Sequence, residues 1–134
     1  MRYELLEHTA DVMIRAKGRS LAECFANAAY ALFDQIVDVE KVEERREYSF
    51  NVEGFDLESL LMNFLSEFLY IHDTTRLVFC RFDVRIEGVA LTCTAWGEEI
   101  DVERHRAKRE IKAVTYHMMK IDEKEPSVQV LFDI

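Results

Sequence analysis

Two segments of this sequence repeat the same signal for the start of a helix, and this repeat constrains the fold more than any other feature. Gly18 is followed by a spacer, Ser20 and a leucine, and 36 residues later Gly54 is followed by a spacer, Asp56 and a leucine. Ser and Asp are preferred N-caps because their side-chain oxygens accept a hydrogen bond from a free N–H of the first turn. A strand-like run precedes each glycine. The sequence therefore predicts a strand–glycine–helix unit that is used twice.

Both predicted helices carry a broad apolar stripe at helical spacing. The first stripe comprises Leu21, Cys24, Phe25, Ala28, Ala29, Leu32, Phe33 and Ile36, and the second comprises Leu57, Leu60, Leu61, Phe64, Leu65, Phe68 and Leu69. A stripe of this width needs a sheet or another apolar layer to cover it. We therefore expect the following large side chains to be buried: Phe25, Leu32, Phe33, Leu61, Phe64 and Phe68.

The remainder of the chain is typical of strands that arrive as hairpins. Apolar and polar residues alternate over 78–86, a turn follows at Gly88, and the apolar positions continue over 89–95. A second hairpin is expected between 114–118 and 128–132. The predicted fold is therefore α+β and two-layered, with an antiparallel or mixed sheet and the two main helices packed on one face.

Length and composition favour one globular domain over residues 1–134. Hydrophobic residues make up 49% of the chain and charged residues 32%, with only 4 Gly and 1 Pro to form linkers. No apolar run approaches the roughly 20 residues that a membrane span needs, and the first eight residues do not resemble a signal peptide. The odd number of cysteines, without a C-x-x-C pair, fits a reducing cytoplasm. We expect Cys24, Cys80 and Cys93 to be small core residues.

The formal net charge of -9 argues against tight, direct binding of nucleic acid and favours a cation or a basic partner. One basic run, from Arg104 to Lys112, opposes this trend. Such a run is more often solvated surface than a phosphate-facing or acid-facing patch. His105 lies inside the run, and we expect it to be solvated.

Motifs of independent catalysis are missing from the sequence. It has no glycine-rich phosphate loop, no G-x-S-x-G and no H-E-x-x-H. His72 is expected near the end of the second helix. His8 and His117 lie in strand-like segments, where either could line a site, although a structural hydrogen bond is the commoner role of such a histidine.

Carboxylates are more informative. The polar segment from Glu7 to Asp11 interrupts an apolar alternation, and the chain ends with Asp133 and the free carboxylate of Ile134. If these segments are neighbours in the sheet, three carboxylates converge, and a cation between them would relieve their repulsion. Oxygen ligands suit Ca²⁺, Mg²⁺ or Mn²⁺. The spacing alone favours a simpler interpretation, in which Asp11 makes an Asx-turn and Asp133 is a solvated strand end.

Four motifs in order give the chain a resemblance to the archease family. They are Glu7–Val12, Gly97–Asp101, Glu110–His117 and Val130–Ile134, and the helical spacing over 21–33 also matches. The resemblance implies an α+β fold of duplicated strand–helix–strand–strand modules. It also implies a protein cofactor of the GTP-dependent tRNA-splicing RNA ligase, which promotes guanylylation of the ligase and multiple turnover.

The resemblance further implies a divalent metal held by Asp11, Asp133 and Ile134, with Ca²⁺ expected and Mg²⁺ or Mn²⁺ as alternatives. The other candidates, as further ligands, outer groups or partner contacts, are Glu7, His8, Asp101, Lys112 and His117. An activator of this kind is not an enzyme itself. Two other functions stay open: a small metal-dependent hydrolase that uses Asp11, Asp133 and His117, and a chaperone-like modulator of a tRNA cytosine methyltransferase.

Overall fold

The computed structural model describes residues 2–6 and 11–134. In those ranges the chain has two α-helices, one short 3-10 helix at Val39–Lys41, and seven strands. The helices are α1 (Leu21–Ile36) and α2 (Leu57–Thr75). The strands are β1 (Tyr3–Leu6), β2 (Val12–Lys17), β3 (Arg46–Glu53), β4 (Leu77–Glu87), β5 (Ala90–Glu99), β6 (Ala113–Asp122) and β7 (Ser127–Asp133).

The described strands form two antiparallel sheets. The four-stranded sheet has the order β1-β2-β7-β6, and the three-stranded sheet has the order β3-β5-β4. The segment β3-α2-β4-β5 is one strand–helix–strand–strand unit. The elements β2, α1, β6 and β7 form a second unit with the same strand order, and the first unit is inserted between α1 and β6. The predicted α+β class, the antiparallel pairing and the duplication are confirmed.

The helices contact both sheets, whereas one sheet with both helices on one face was predicted. Helix α1 contacts β2 and β7 of its own unit and β4 of the other unit, and α2 contacts β3 and β5 of its own unit and β6 of the other. Two covering layers explain why each apolar stripe is so broad. None of the helices in the described ranges is both long and apolar enough to cross a membrane.

The core contains the residues that the helical stripes predicted. All six large side chains named above are fully buried. The rings of Phe33 and Phe68, one from each helix, meet edge to face with centroids 5.5 Å apart. Both predicted N-caps are present, since the Ser20 side chain accepts a hydrogen bond from the Glu23 N–H and Asp56 accepts one from the Ser59 N–H. Both helices therefore begin at the N-cap hydrogen bonds that the sequence predicted.

A β-bulge in β4 changes one predicted face. The pairing with β5 shifts between Phe79 and Arg81, so Val78 and Phe79 are both buried and Cys80 is only half-buried. Cys80 packs against the core at its edge and is only partly buried, while Cys24 and Cys93 are buried as predicted. Gly97 faces Phe79 at the bulge, where any Cβ would collide with the carbonyl oxygen of Val78. This close approach is the physical reason for a glycine at position 97.

Candidate functional site

The strand register brings Asp11 and Asp133 to the same end of the four-stranded sheet. Val12 pairs with Phe132 across β2 and β7, so Asp11 directly precedes and Asp133 directly follows that pair. Because directly opposed residues of an antiparallel pair lie on the same face, the continued register places the two aspartates on one face of the sheet. Asp133 is exposed and Asp11 is partly exposed. Two of the three predicted carboxylates thus stand one position beyond the same pair, at one end of the sheet.

Lys112 and the chain terminus lie at the same end. The Lys112 N–H donates a hydrogen bond to the Asp133 carbonyl oxygen over 2.7 Å. Ala113 pairs with Asp133, so Lys112 directly precedes and Ile134 directly follows the last pair of β6 and β7. Lys112 is exposed and Ile134 is 38% exposed. We call the surface formed by Asp11, Lys112, Asp133 and Ile134 the acidic end; its exposure makes it accessible to a partner.

The aspartate carboxylates of the acidic end are hard oxygen donors, which suit a divalent cation. Within residues 2–6 and 11–134, no Lys, Arg or His nitrogen lies within 4.0 Å of the Asp133 carboxylate. Three or more His, Cys, Asp or Glu side chains are nowhere grouped as metal ligands in these ranges. The predicted set of metal ligands is not such a group, because it comprises two aspartate side chains and one main-chain carboxylate. Glu7 and His8 lie outside the described residues.

A cleft of about 490 Å³ lies beside Lys112, at the C-terminal ends of both helices. We call it the helix-end cleft. Its cations include Arg76, Arg109 and Lys112, and Asp73 and Glu110 also line it. Arg76 caps α2 in the left-handed conformation, with φ of 65°. The helix-end cleft therefore adjoins the acidic end at Lys112, and its lining carries both positive and negative side chains.

Asp101 serves a turn in the structure. Its carboxylate accepts hydrogen bonds from the N–H groups of Glu103 and Arg104 over 3.2 and 3.0 Å. The bond from the Arg104 N–H is the main reason why the pKa of Asp101 is lowered. The predicted candidate ligand is thus engaged in closing the loop that joins β5 to β6.

The sequence prediction of a solvated His105 is wrong, because the imidazole is fully buried. Its Nε2 lies 2.9 Å from the Glu98 carboxylate, and its Nδ1 lies 2.9 Å from the Asp101 backbone N–H. The Asp101 backbone N–H can only donate a hydrogen bond, so the Nδ1 atom of His105 accepts it. The Nε2 atom therefore carries the ring proton, which it donates to Glu98. These bonds fix the ring as one neutral tautomer and join the loop to β5.

Glu98 is the centre of this cluster. Arg104 donates to both carboxylate oxygens over 2.7 and 3.1 Å, and the Glu43 N–H donates over 2.7 Å. These bonds lower the pKa of Glu98 to about 2, and the side-chain hydrogen bond from Arg104 has the largest effect. The only sequence signal for this cluster is a glutamate in the matched motif 97–101. Arg104 and His105 follow it in a loop whose path the sequence does not indicate, and Glu43 is distant in sequence. Glu98, Arg104 and His105 hold the loop against β5, and sequence reasoning missed this role.

The basic run is therefore an anchored loop. Its central Lys108 donates from its backbone N–H to the Ile36 carbonyl oxygen and from Nζ to the Asp34 carbonyl oxygen, both over 2.8 Å. These bonds fix the loop to the end of α1. The anchored loop leads directly into Lys112 at the acidic end.

His117 lies on β6, and Lys112 directly precedes that strand. The pairing of β6 with β7 is irregular between Thr115 and Lys120, and His117 is exposed within this irregular segment. Met118 next to it has a positive φ of 56°. The structure thus places both candidate contact residues on β6 or at its start.

Comparisons with known proteins agree with this architecture. The sequence profile described as "Archease protein family (MTH1598/TM1083)" matches residues 3–134. A protein of Pyrococcus abyssi named "Protein archease" is 54% identical over 125 residues, which cover 90% of this chain and 88% of that protein. A protein of the same name from Pyrococcus furiosus is 50% identical with the same coverage.

A solved structure gives the same result. The solution structure of Methanobacterium thermoautotrophicum protein 1598 superposes with a TM-score of 0.85 at 38% identity, over 99% of both chains. The family profile spans nearly the whole chain, and the relatives are similar across most of their own length. The chain belongs to the archease family.

Proposed function

We propose that this chain is a non-catalytic accessory protein of the cytoplasm that activates a GTP-dependent tRNA-splicing RNA ligase. It promotes guanylylation of the ligase and allows each ligase molecule to turn over many times. The observation that carries the proposal is the acidic end, which presents Asp133 and the Ile134 carboxylate on an exposed edge in a member of the archease family.

The proposal assigns one divalent cation to the acidic end. Asp11, Asp133 and the Ile134 carboxylate would hold it, and Ca²⁺ is the metal that we expect, with Mg²⁺ or Mn²⁺ as alternatives. The chemistry of this donor set supports the assignment, because it consists of carboxylate oxygens on an exposed strand end. A bound cation would supply positive charge at the surface that meets the ligase.

Lys112 is the protein's own cation at this surface. Its backbone N–H is bonded to the Asp133 carbonyl oxygen, and its side chain lines the helix-end cleft, so a partner group bound in that cleft would meet its ammonium. The anchored loop, held by the Glu98 cluster, fixes the backbone that leads to Lys112. His117 on β6 provides a second contact in the proposal, and neither residue needs to act as a nucleophile.

The test is a ligation assay over many turnovers. The candidate ligase is mixed with GTP, divalent metal and RNA ends, with and without a substoichiometric amount of this chain. We expect the chain to raise both the guanylylation rate and the number of ligations for each ligase molecule. The chain without ligase is the control and should ligate nothing. Unchanged ligase turnover would refute the proposal, and ligation by the chain alone would make it an enzyme.

A further inference from the structure

A second cleft, of about 700 Å³, lies at the other end of β2 from the acidic end. The turn after β2, the first part of α1 and the bulged region of β4 form its walls. Four cations line it: Arg2, Lys17, Arg19 and Arg81. We call it the cationic cleft. Two carboxylates, Glu23 and Glu44, also line it, so its cations outnumber its acids by two on a chain whose net charge is -9.

Among the residues that the structure describes, three of these four cations form no ion pair. Arg81 forms an ion pair with Glu44 over 2.7 Å. In the described part of the chain, however, no carboxylate oxygen lies within 4.0 Å of the side-chain nitrogens of Arg2, Lys17 or Arg19. Like charges that share a cleft repel each other, and an anionic ligand would relieve that repulsion.

Aromatic rings hold two of the guanidinium groups at the cleft. The Arg2 guanidinium lies 4.0 Å from the centroid of the Tyr30 ring, and Tyr30 itself lines the cleft. The Arg81 guanidinium stacks at 3.6 Å on the ring of Trp96. A stacked guanidinium keeps its N–H groups free at the edge of its plane, where they can bind phosphate oxygens.

The internal repeat shows that the fold does not require these charges. At the equivalent positions of the second unit, 36 residues later, Glu53 replaces Lys17 and the fully exposed Phe55 replaces Arg19. Both units nevertheless have the same strand–glycine–helix geometry. The cations at positions 17 and 19 therefore need an explanation other than the formation of the helix start.

We infer that the cationic cleft binds the phosphate groups of an RNA strand. Guanidinium and ammonium groups on an open surface suit successive phosphates of an extended backbone. The choice of RNA among phosphate-bearing chains rests on the proposed function. Strand β2 has six residues, so the cleft lies about 20 Å from the acidic end. An RNA strand held there would be steadied at a distance from the surface that meets the ligase.

The number of cations limits the strength of this binding. Three phosphate contacts on a single strand give a slope of log affinity against log salt of about -2, because each contact contributes about 0.7. The net negative charge of the chain opposes the approach of RNA. The cleft therefore binds RNA weakly and loses it as salt rises, which agrees with the expectation that the chain does not bind nucleic acid tightly.

The experiment measures fluorescence anisotropy of a labelled single-stranded RNA decamer with the chain alone, over a series of salt concentrations. Lys17→Gln and Arg19→Gln should each weaken binding and make the slope shallower by about 0.7. Lys41→Gln and Lys124→Gln remove the same charge from exposed positions elsewhere and should leave the slope unchanged. Equal losses in all four variants, or no RNA binding at low salt, would overturn the inference.

A second arm identifies the source of the phosphate. GTP and an acidic peptide are tested as competitors of the labelled RNA, and an unlabelled RNA of the same sequence serves as the reference. We expect only the unlabelled RNA to compete at matched concentrations. Stronger competition by GTP or by the peptide would replace RNA as the occupant and overturn the inference. No ligase is present, so these results are independent of whether the chain activates a ligase.

Discussion

Asn27 and Asn63 occupy equivalent positions in the two units and make the same hydrogen bond. The Asn27 amide donates to the Lys17 carbonyl oxygen over 2.6 Å, and the Asn63 amide donates to the Glu53 carbonyl oxygen over 2.7 Å. Each bond connects a helix to the last residue of the strand that precedes it. The repeat that the sequence indicated therefore extends to individual side-chain contacts.

Replacement of either asparagine should have the same effect. Asn27→Ala and Asn63→Ala should each lower the free energy of unfolding by about 1 kcal/mol, because each loses one exposed hydrogen bond of ordinary strength. Urea denaturation of both variants measures this directly. A large loss in one variant and none in the other would show that the two bonds are not equivalent.

The aromatic core gives a second test. Phe64 is fully buried against Phe25, Phe50 and Phe68. Phe64→Ala should therefore lower the free energy of unfolding by about 3–5 kcal/mol. The matched control is Phe55→Ala at a fully exposed position, which should change it by less than about 0.5 kcal/mol. A loss below about 1 kcal/mol at position 64 would mean that this helix face is not in the core.

The Glu98 cluster predicts a pH-dependent contribution to stability. The pKa of Glu98 is lowered from an ordinary 4.5 to about 2, so the ionised carboxylate stabilises the fold above about pH 4.5. This stability is lost as the pH falls from there towards 2. Glu98→Gln should cost about 2–3 kcal/mol at pH 7, since the neutral amide keeps only one of the two acceptor oxygens and loses the charge that pairs with Arg104, although Arg104 is partly exposed and can be rehydrated.

The measurement for Glu98 is the difference in unfolding free energy between wild type and variant across this pH range. The difference should shrink below pH 4.5 and vanish near pH 2. Glu99→Gln, at the exposed neighbouring position, is the control and should show almost no difference at any pH. A constant difference across the range would mean that the charge of Glu98 does not matter.

The proposed metal site predicts two losses of affinity. Calorimetric titration of Ca²⁺, Mg²⁺ and Mn²⁺ should show that Asp133→Asn weakens binding by at least about tenfold, because even outer groups of a metal site contribute that much. One residue added after Ile134 should also weaken binding, since it moves the free carboxylate away. Asp83→Asn, an exposed aspartate of β4, is the control. Equal affinity in wild type and the Asp133 variant would exclude the site.

Much of the fold follows from local signals in the sequence. The N-caps at Ser20 and Asp56 and the apolar stripes define both helices, and the turn at Gly88 defines a hairpin. The division of the strands between two sheets could not be predicted in this way. Alternation of apolar residues indicates which face of a strand is buried, but it does not indicate which strands pair. The insertion of one unit into the other follows from the pairing of β2 with β7, because the inserted unit lies between these two strands in the chain.

The site shows the same limit. His105 appeared in the sequence as a histidine in a basic run, and its burial depends on Glu98 and on the covering loop, which are tertiary features. Asp11 and Asp133 stand 122 positions apart in the chain, and only the motifs of the archease resemblance suggested that they meet. The register of β2 and β7 puts each of them one position beyond the Val12–Phe132 pair. The metal between them stays a prediction.

The most direct measurement is the number of ligations that each ligase molecule completes in the presence of wild type, Asp133→Asn or Asp83→Asn. Without divalent metal, all three proteins should have the same unfolding temperature, because both aspartates are exposed. The account predicts many turnovers with wild type and Asp83→Asn, and a return to the unassisted number with Asp133→Asn. Full activation by Asp133→Asn would contradict it, because the acidic end would then play no part in the function.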